Sequence, residues 1–499
     1  MPLRTRSFDL PLPQDLAVIL ARCPALARAY VVGGGVRDAL LGLPVKDLDV
    51  EVFGESIESL ASALAPFGRV DVVGRSFGVV KLTVRAGVTH DFSLPRRDSK
   101  VGSGHRGFVS EVDPELSIEA AAARRDFTIN ALMYDPRRHE ILDAHGGLED
   151  LGAGILRHTS EAFPEDPLRV LRGMQFVSRF HLRPAAETVA LCRSIAGTFP
   201  ELARERVRDE WWKWATRSQR PSAGLYFLRD TEWVRHFPEI DALSGTPQDP
   251  EWHPEGDVFT HTAHCCDALV GLPTWREADE MSRGVWMLAT LAHDFGKPST
   301  TREEGREGRC RIVSPGHEQA GGPIAAAFLA RIGAPNEVLA RVVPLVINHL
   351  AHLQAGTDRA VRRLALRLVP ETLEALCVVM SADALGRPPR PAVVPHTITQ
   401  LLERATALRL KREPPKPLLL GRHLLERGMR PGKDVGRITR AAFEAQLDGE
   451  FSNLAGAFAW TAAQADLPLP PETRLQLDSS RDAANELSGS GGGTQDGSR

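Results

Sequence analysis

The chain has no stretch approaching the 18 consecutive apolar residues that a membrane-crossing helix needs, and Met1 to Asp15 carries neither the cationic segment nor the apolar run of a secretory signal. A cytoplasmic protein without a membrane partner is the expectation. Its six cysteines, Cys23, Cys192, Cys265, Cys266, Cys310 and Cys377, are scattered with no Cys-x-x-Cys pair, which fits buried, reduced thiols and no disulfide framework. A formal net charge of −3 does not announce a nucleic-acid binder, but the average hides an imbalance. Residues 359–440 hold 17 Lys and Arg against 7 Asp and Glu, whereas 441–499 hold 3 against 9. The basic stretch suits a phosphate backbone, and it equally suits a solvated helical face.

With 499 residues, 42% of them apolar, the chain has material for about three or four domains with real cores. Near its start, Val31 to Phe53 reads as strand, glycine turn, short helix and second strand. In Asp47-Leu48-Asp49-Val50-Glu51-Val52 the polar and apolar residues alternate, so Asp47 and Asp49 leave the strand on one face. Paired carboxylates of this kind hold hard divalent ions, and Mg2+ held so brings a phosphate-bearing substrate. Gly33 and Gly34 allow the backbone close to a phosphate, and Arg37 can pair with it. Glycines, an arginine and paired aspartates at this spacing describe a nucleoside-triphosphate site; alone, each reads as a turn or a solvated strand face.

Gly33-Gly34-Gly35-Val36-Arg37-Asp38 followed by Asp47-x-Asp49 resembles the head of the class II tRNA nucleotidyltransferases and bacterial poly(A) polymerases. Helical patterns at 14–29 and 56–65 and strand-like runs at 69–73, 78–84 and 88–92 predict a small mixed sheet backed by helices. Asp91 ends the last run, as a third carboxylate for metal or nucleophile or as an ordinary edge-strand residue. Residues 95–123, with Arg96, Arg97, Lys100, His105 and Arg106 among glycines, read as a mobile loop; in the resembling family this region affects which base is added. Arg124-Arg125-Asp126-Phe127-Thr128-Ile129-Asn130 resembles the family's second motif. Its arginines suit phosphate oxygens, and Asp126 suits a ribose hydroxyl. In Glu165-Asp166-Pro167-Leu168-Arg169 and Arg172, spacing sets Asp166, Arg169 and Arg172 near one side of a helix. The resemblance implies that Asp166 and Arg169 read the base, while an intrahelical ion pair is the plain alternative. Trp211, Trp212 and Trp214 read as core.

After a Pro/Asp/Gly-rich linker, Ser244 to Gly256, a second set follows: His261, His293-Asp294, His317, His349 and Asp383, each spaced to come from a different helix. Imidazoles and carboxylates in this order suit Ni, Mn, Co, Fe or Zn. The phrases Val258-Phe259-Thr260-His261-Thr262 and His293-Asp294-Phe295-Gly296-Lys297 resemble an HD-type metal-dependent phosphohydrolase domain, and His264 and His352 lie near two of the ligand positions.

The expected fold class is α+β. A nucleotidyltransferase head (1–150) precedes a helical neck (151–245), an HD domain (246–390), a helical C-terminal region in possible contact with tRNA (391–469) and a disordered tail (470–499). The resemblance implies CCA addition to tRNA from CTP and ATP. Mg2+ would sit on Asp47 and Asp49, with Asp91 beside them, and the nucleotide on Gly33, Gly34, Arg37, Arg124, Arg125, Asp126, Asp166, Arg169 and Arg172. Phosphohydrolase activity is expected in the HD domain. CC-only or A-only addition, a poly(A) polymerase, and an HD phosphohydrolase with a non-catalytic RNA-binding head remain alternatives.

Overall fold

The computed structural model describes residues 3–45, 48–73, 78–100, 108–306 and 309–479. Asp47, residues 101–107 with His105 and Arg106, and the end of the tail from 480 lie outside them. The chain forms two compact units: Met1–Pro247 with Gly256–Met287 and Ala327–Pro335, and Gln248–Glu255 with Leu288–Ala326 and Asn336–Arg499.

The first unit begins with the expected α+β head. Its strands are β1 (Arg4–Ser7), β2 (Ala29–Val32), β3 (Asp49–Val52), β4 (Arg69–Val73), β5 (Val79–Arg85), β6 (Val88–Ser93), β7 (Arg96–Lys100), β8 (Phe108–Val112), β9 (Met133–Asp135) and β10 (Glu140–Asp143). Eight of them make one mixed sheet in the order β1-β10-β9-β2-β3-β6-β5-β4. The alternation in β3 decides which face is which. Val50 and Val52 are fully buried in a core with Leu60, Leu64 and Phe92, so Asp49 and Glu51 point to the opposite face. The helix Gln14–Arg22 stops where Pro24 forbids its continuation, and the helix Ile57–Leu64 starts where the Ser56 hydroxyl accepts from the Ser59 N–H. β3 runs parallel to β6, which sets Asp49 opposite Asp91.

Where the sequence predicts an irregular loop over 95–123, the backbone forms an antiparallel pair, β7 with β8, and then a helix, Ile118–Ala123, capped by Ser117. The pair makes its own two-stranded sheet, and Val112 of β8 packs against the head core. After the head, helices take over. Trp211 and Trp214 are wholly buried and meet edge to face at 5.3 Å, as core residues.

In the second unit, Gln248–Glu255 is a fixed strap. The Lys297 ammonium donates to Gln248 at 2.7 Å, and Arg311 pairs with Asp249 at 3.0 Å. Further along, Leu419, Leu424, Ile438, Phe458 and Leu477 build a separate apolar core. Residues 471–479 are helical and seat Leu477 there, beyond the residue at which the sequence pattern predicts order to end. Among the described residues no helix is long and apolar enough to cross a membrane.

Candidate active sites

In the head, Gly33 ends β2 with φ +76°, a conformation that favours glycine. A Cβ there would lie 3.1 Å from the Arg125 guanidinium, and one on Gly34 would lie 3.4 Å from that of Arg37, so both glycines make room for arginines. Arg37 is buried. It donates to Asp38 through Nε (2.9 Å) and Nη2 (2.6 Å) and to the side-chain oxygen Oδ1 of Asn130 through Nη1, and it stacks 4.4 Å from the Phe180 ring. Asn130 continues the line, donating to Asp126 at 2.9 Å, and the other oxygen of Asp126 accepts from Arg172 Nε at 2.7 Å. Burial alone would raise the Asp126 pKa. The Arg172 charge, with hydrogen bonds from Asn130, Arg172 and the Phe127 N–H, outweighs it and holds the carboxyl below its usual range. Arg172 in turn is raised, chiefly by the Asp126 charge, against the opposing effect of burial.

Arg124 and Arg125 converge on one carboxylate, that of Glu51, at 2.7 and 3.2 Å, and Glu51 has no exposed surface. The alternation that singles out Asp47 and Asp49 extends to Glu51, which is the signal by which this residue was legible. Asp49 is exposed, and Asp91, half-buried, takes the Lys81 ammonium at 3.4 Å.

Asp166 lies before the helix Leu168–Phe180, not on it, with φ −118° and ψ 96°. Its carboxylate accepts both ends of the Arg206 guanidinium, at 3.2 and 2.8 Å. Arg169 is turned inward and donates to the carbonyls of Ala162 (2.8 Å) and Arg124 (2.6 Å). Spacing alone could not show this, because the partners lie 40 and 45 residues away.

The second unit brings together His293, Asp294, His317, His349 and Asp383, and all but His293 line one cavity of about 530 Å³. Three of the imidazoles share one device. His293, His317 and His349 each direct Nδ1 at the carbonyl three residues earlier (Thr290, Ser314, Val346), all at 2.7 Å. A carbonyl only accepts, so Nδ1 carries the proton and, in the neutral ring, Nε2 keeps its lone pair. The three Nε2 atoms then gather around Asp294: His293 at 3.2 Å, His317 at 3.2 Å and His349 at 3.9 Å, with His317 and His349 facing each other at 3.2 Å. Two lone pairs so placed repel unless a cation lies between them. Donors ~2.1 Å from one ion stand about 3.0–3.4 Å apart, so the set fits a transition metal. Burial is the main cause that pushes His349 down to about 3, aided by His293, so its ring is neutral. Asp294 is held well below its usual range: burial opposes this, but His293, when its ring carries a second proton, and the Lys297 ammonium prevail. Asp383 lies within 4.8 Å of His293 and accepts from Arg387 at 2.7 Å. His261 belongs to the first unit, fully buried on the helix Val258–Gly271 with Nε2 3.3 Å from the Cys265 sulfur. His352 lines the same cavity as His349 but faces the Met380 sulfur at 3.2 Å.

Residues 29–157 match the family model of the poly A polymerase head domain. A multifunctional CCA protein of Chromobacterium violaceum is 37% identical over 370 residues, 72% of this chain and 81% of the relative. One of Xanthomonas campestris pv. campestris is 37% identical over 375 residues, covering 72% and 85%. Among solved structures, the Thermotoga maritima CCA-adding enzyme complexed with tRNA superposes with TM-score 0.60 at 19% identity, covering 92% of this chain and 98% of that one. The Bacillus stearothermophilus CCA-adding enzyme in complex with CTP gives 0.58 at 20%, covering 95% and 98%. These two share the fold. The head motifs and the extent of the 37% identity place the chain in a family: it belongs to the multifunctional CCA proteins, which are class II tRNA nucleotidyltransferases.

Proposed function

We propose that this protein adds CCA, or part of it, to the 3′ end of tRNA from CTP and ATP, and that its second unit hydrolyses phosphate esters. A tRNA substrate implies a cytoplasmic site of action. The observation that carries the first part is the hydrogen-bonded line Arg37–Asn130–Asp126–Arg172. Asp47 and Asp49, with Asp91 beside them, are the residues to hold Mg2+, which when bound activates the attacking hydroxyl and neutralises charge on the departing pyrophosphate. Gly33 and Gly34 admit Arg125 and Arg37 beside the triphosphate, which Arg37, Arg124, Arg125 and Arg172 surround with positive charge. Asp126, ionised by its neighbours, is an acceptor for a ribose hydroxyl. Asp166 offers acceptors and Arg169 donors to the base. Asp166 keeps acceptor sites beyond its pair with Arg206, and Arg169 keeps N–H donors beyond its two carbonyl partners.

In the second unit, the convergence of three Nε2 atoms on Asp294 supports the hydrolytic reading. His293, Asp294, His317, His349 and Asp383 are the residues to hold a metal among Ni, Mn, Co, Fe or Zn, which when bound makes water a nucleophile near neutral pH. Lys297 and Arg387 supply positive charge along the same cavity.

The test offers tRNAs ending at the discriminator base, at C and at CC to the purified protein with CTP and ATP separately, and sequences the products. Addition that stops at CCA supports the proposal. An adenosine tract indicates poly(A) polymerase activity, single-step products a CC-only or A-only enzyme, and no incorporation a head that only binds RNA.

A further inference from the structure

The strap Gln248–Glu255 carries a side chain that phosphate chemistry does not account for. Trp252 is 50% exposed, and it is the one aromatic among the large apolar side chains left exposed in the described residues. A tryptophan normally withdraws most of its surface from water. This one lines the cavity that holds Asp294, His317 and His349, and Leu353, 67% exposed, lines it too. Trp252 is also held in place. The Arg390 guanidinium lies 5.2 Å from the ring centroid and donates to the Glu251 carbonyl. The backbone N–H of Trp252 donates to the Asp249 carbonyl at 3.0 Å, which fixes the strap beneath the ring, and Asp249 is paired with Arg311 at 3.0 Å. An aromatic side chain immobilised with half its surface in water has already lost its rotamer freedom, so a planar ligand meets a prepared face. The cavity, about 530 Å³, falls in the range of sites for whole small molecules and exceeds what a phosphate group alone fills. Its basic residues, Lys297 and Arg387, suit the phosphate end, which leaves Trp252 and Leu353 for an apolar, flat remainder.

We propose that Trp252, positioned by Arg390, is a nucleobase-stacking platform, so that the second-unit cavity selects phosphate esters of nucleosides over esters without a base. The proposal rests on the phosphoesterase reading above. The reaction at issue adds water across one P–O bond of a cyclic diester, leaving a phosphomonoester and returning a proton to the released sugar oxygen. The base takes no part in bond making, so its stacking appears in KM.

Three substrates test this on the full-length protein with Ni2+ or Mn2+ supplied: adenosine 2′,3′-cyclic phosphate, methyl riboside 2,3-cyclic phosphate, which has no base, and a short RNA ending in a 2′,3′-cyclic phosphate. Base stacking at an aromatic residue is worth roughly tenfold in affinity. The native protein should show a KM about tenfold lower for the adenosine ester than for the base-less one. Trp252→Ala should erase that difference by raising only the base-bearing KM, with kcat within about twofold, and Trp252→Phe should restore most of it. A Trp252-dependent KM for the mononucleotide assigns the platform to free nucleotides, and one for the RNA alone assigns it to RNA termini. Equal KM values for base-bearing and base-less esters in the native protein, or equal shifts of both in Trp252→Ala, would overturn the proposal. If the native protein hydrolyses none of the three, the phosphoesterase reading fails separately. Equilibrium binding of adenosine 2′-phosphate, with CTP saturating the head, then decides the platform: affinity about tenfold weaker in Trp252→Ala supports it, and unchanged affinity overturns it.

Discussion

The side chains of β3 divide the work between charge and packing. Asp49 is exposed, so removing its carboxylate has little structural consequence. Asp49→Ala should lower nucleotide addition roughly 100-fold or more, because a metal-binding carboxylate is lost, while stability changes by only about 0.5 kcal/mol. Single-nucleotide incorporation and urea unfolding measure the two effects, and near-native incorporation would remove Asp49 from the metal site. Glu51, two residues on, has the opposite character. It is fully buried and holds Arg124 and Arg125 in one geometry. Glu51→Gln keeps its shape but loses the charge that both guanidiniums share. Charge-assisted hydrogen bonds contribute about 1.5–3 kcal/mol each, so KM for CTP and ATP should rise about tenfold with kcat changed much less. An unchanged KM in steady-state kinetics would show that the two arginines do not need Glu51 to meet the triphosphate. Much of this was legible: the alternation puts Asp47, Asp49 and Glu51 on one face before any coordinates. What was not legible is that Glu51 is the partner of Arg124 and Arg125, since 73 and 74 residues separate them and only the sheet closes the distance.

Among elements, the turn after the helix Glu280–Ala292 shows how closely the second site is built. A Cβ on Gly296 would lie 2.0 Å from the His317 carbonyl oxygen and 2.7 Å from the Gly321 nitrogen, both backbone atoms of the helix His317–Arg331. Nothing flexible lies there to give way. Gly296→Ala must push this turn, with His293 and Asp294 just before it, away from His317. Overpacking of this kind costs about 1–3 kcal/mol, and the 3.2 Å spacing of Asp294 and His317 should open. Metal retained after dialysis, measured by elemental analysis, should fall well below that of the native protein, and full retention would mean that the turn re-forms around the methyl group. The sequence marks Gly296 inside the HD phrase but gives no sign of what it touches. The same limit explains the hairpin β7–β8. Its ladder is made by backbone groups, which leave no trace in the order of the side chains.

At the scale of the whole molecule, the two sites should fail separately. The head rests on its own core around Val50, Val52, Leu60 and Phe92, and the far end of the second unit on another around Leu424, Ile438 and Phe458. Each metal acts only on phosphate within its own coordination sphere. His293→Ala with Asp294→Ala removes two candidate ligands and leaves one cation, Lys297, without its 2.7 Å carboxylate, though still donating to Gln248. The damage is therefore local, a few kcal/mol at most for a buried pair broken on one side. Hydrolysis of 2′,3′-cyclic phosphates should disappear in the double variant, whereas CCA addition to a tRNA lacking its 3′ end should stay within about threefold of native, a change of under 1 kcal/mol in the barrier. Both activities are to be measured on one preparation, so that a folding defect shows in both. Loss of hydrolysis with addition retained means that the second site is a catalyst in its own right. Loss of both means that the metal is a structural support for the tRNA-binding surface or the fold, and the assignment of two independent active sites would have to be given up.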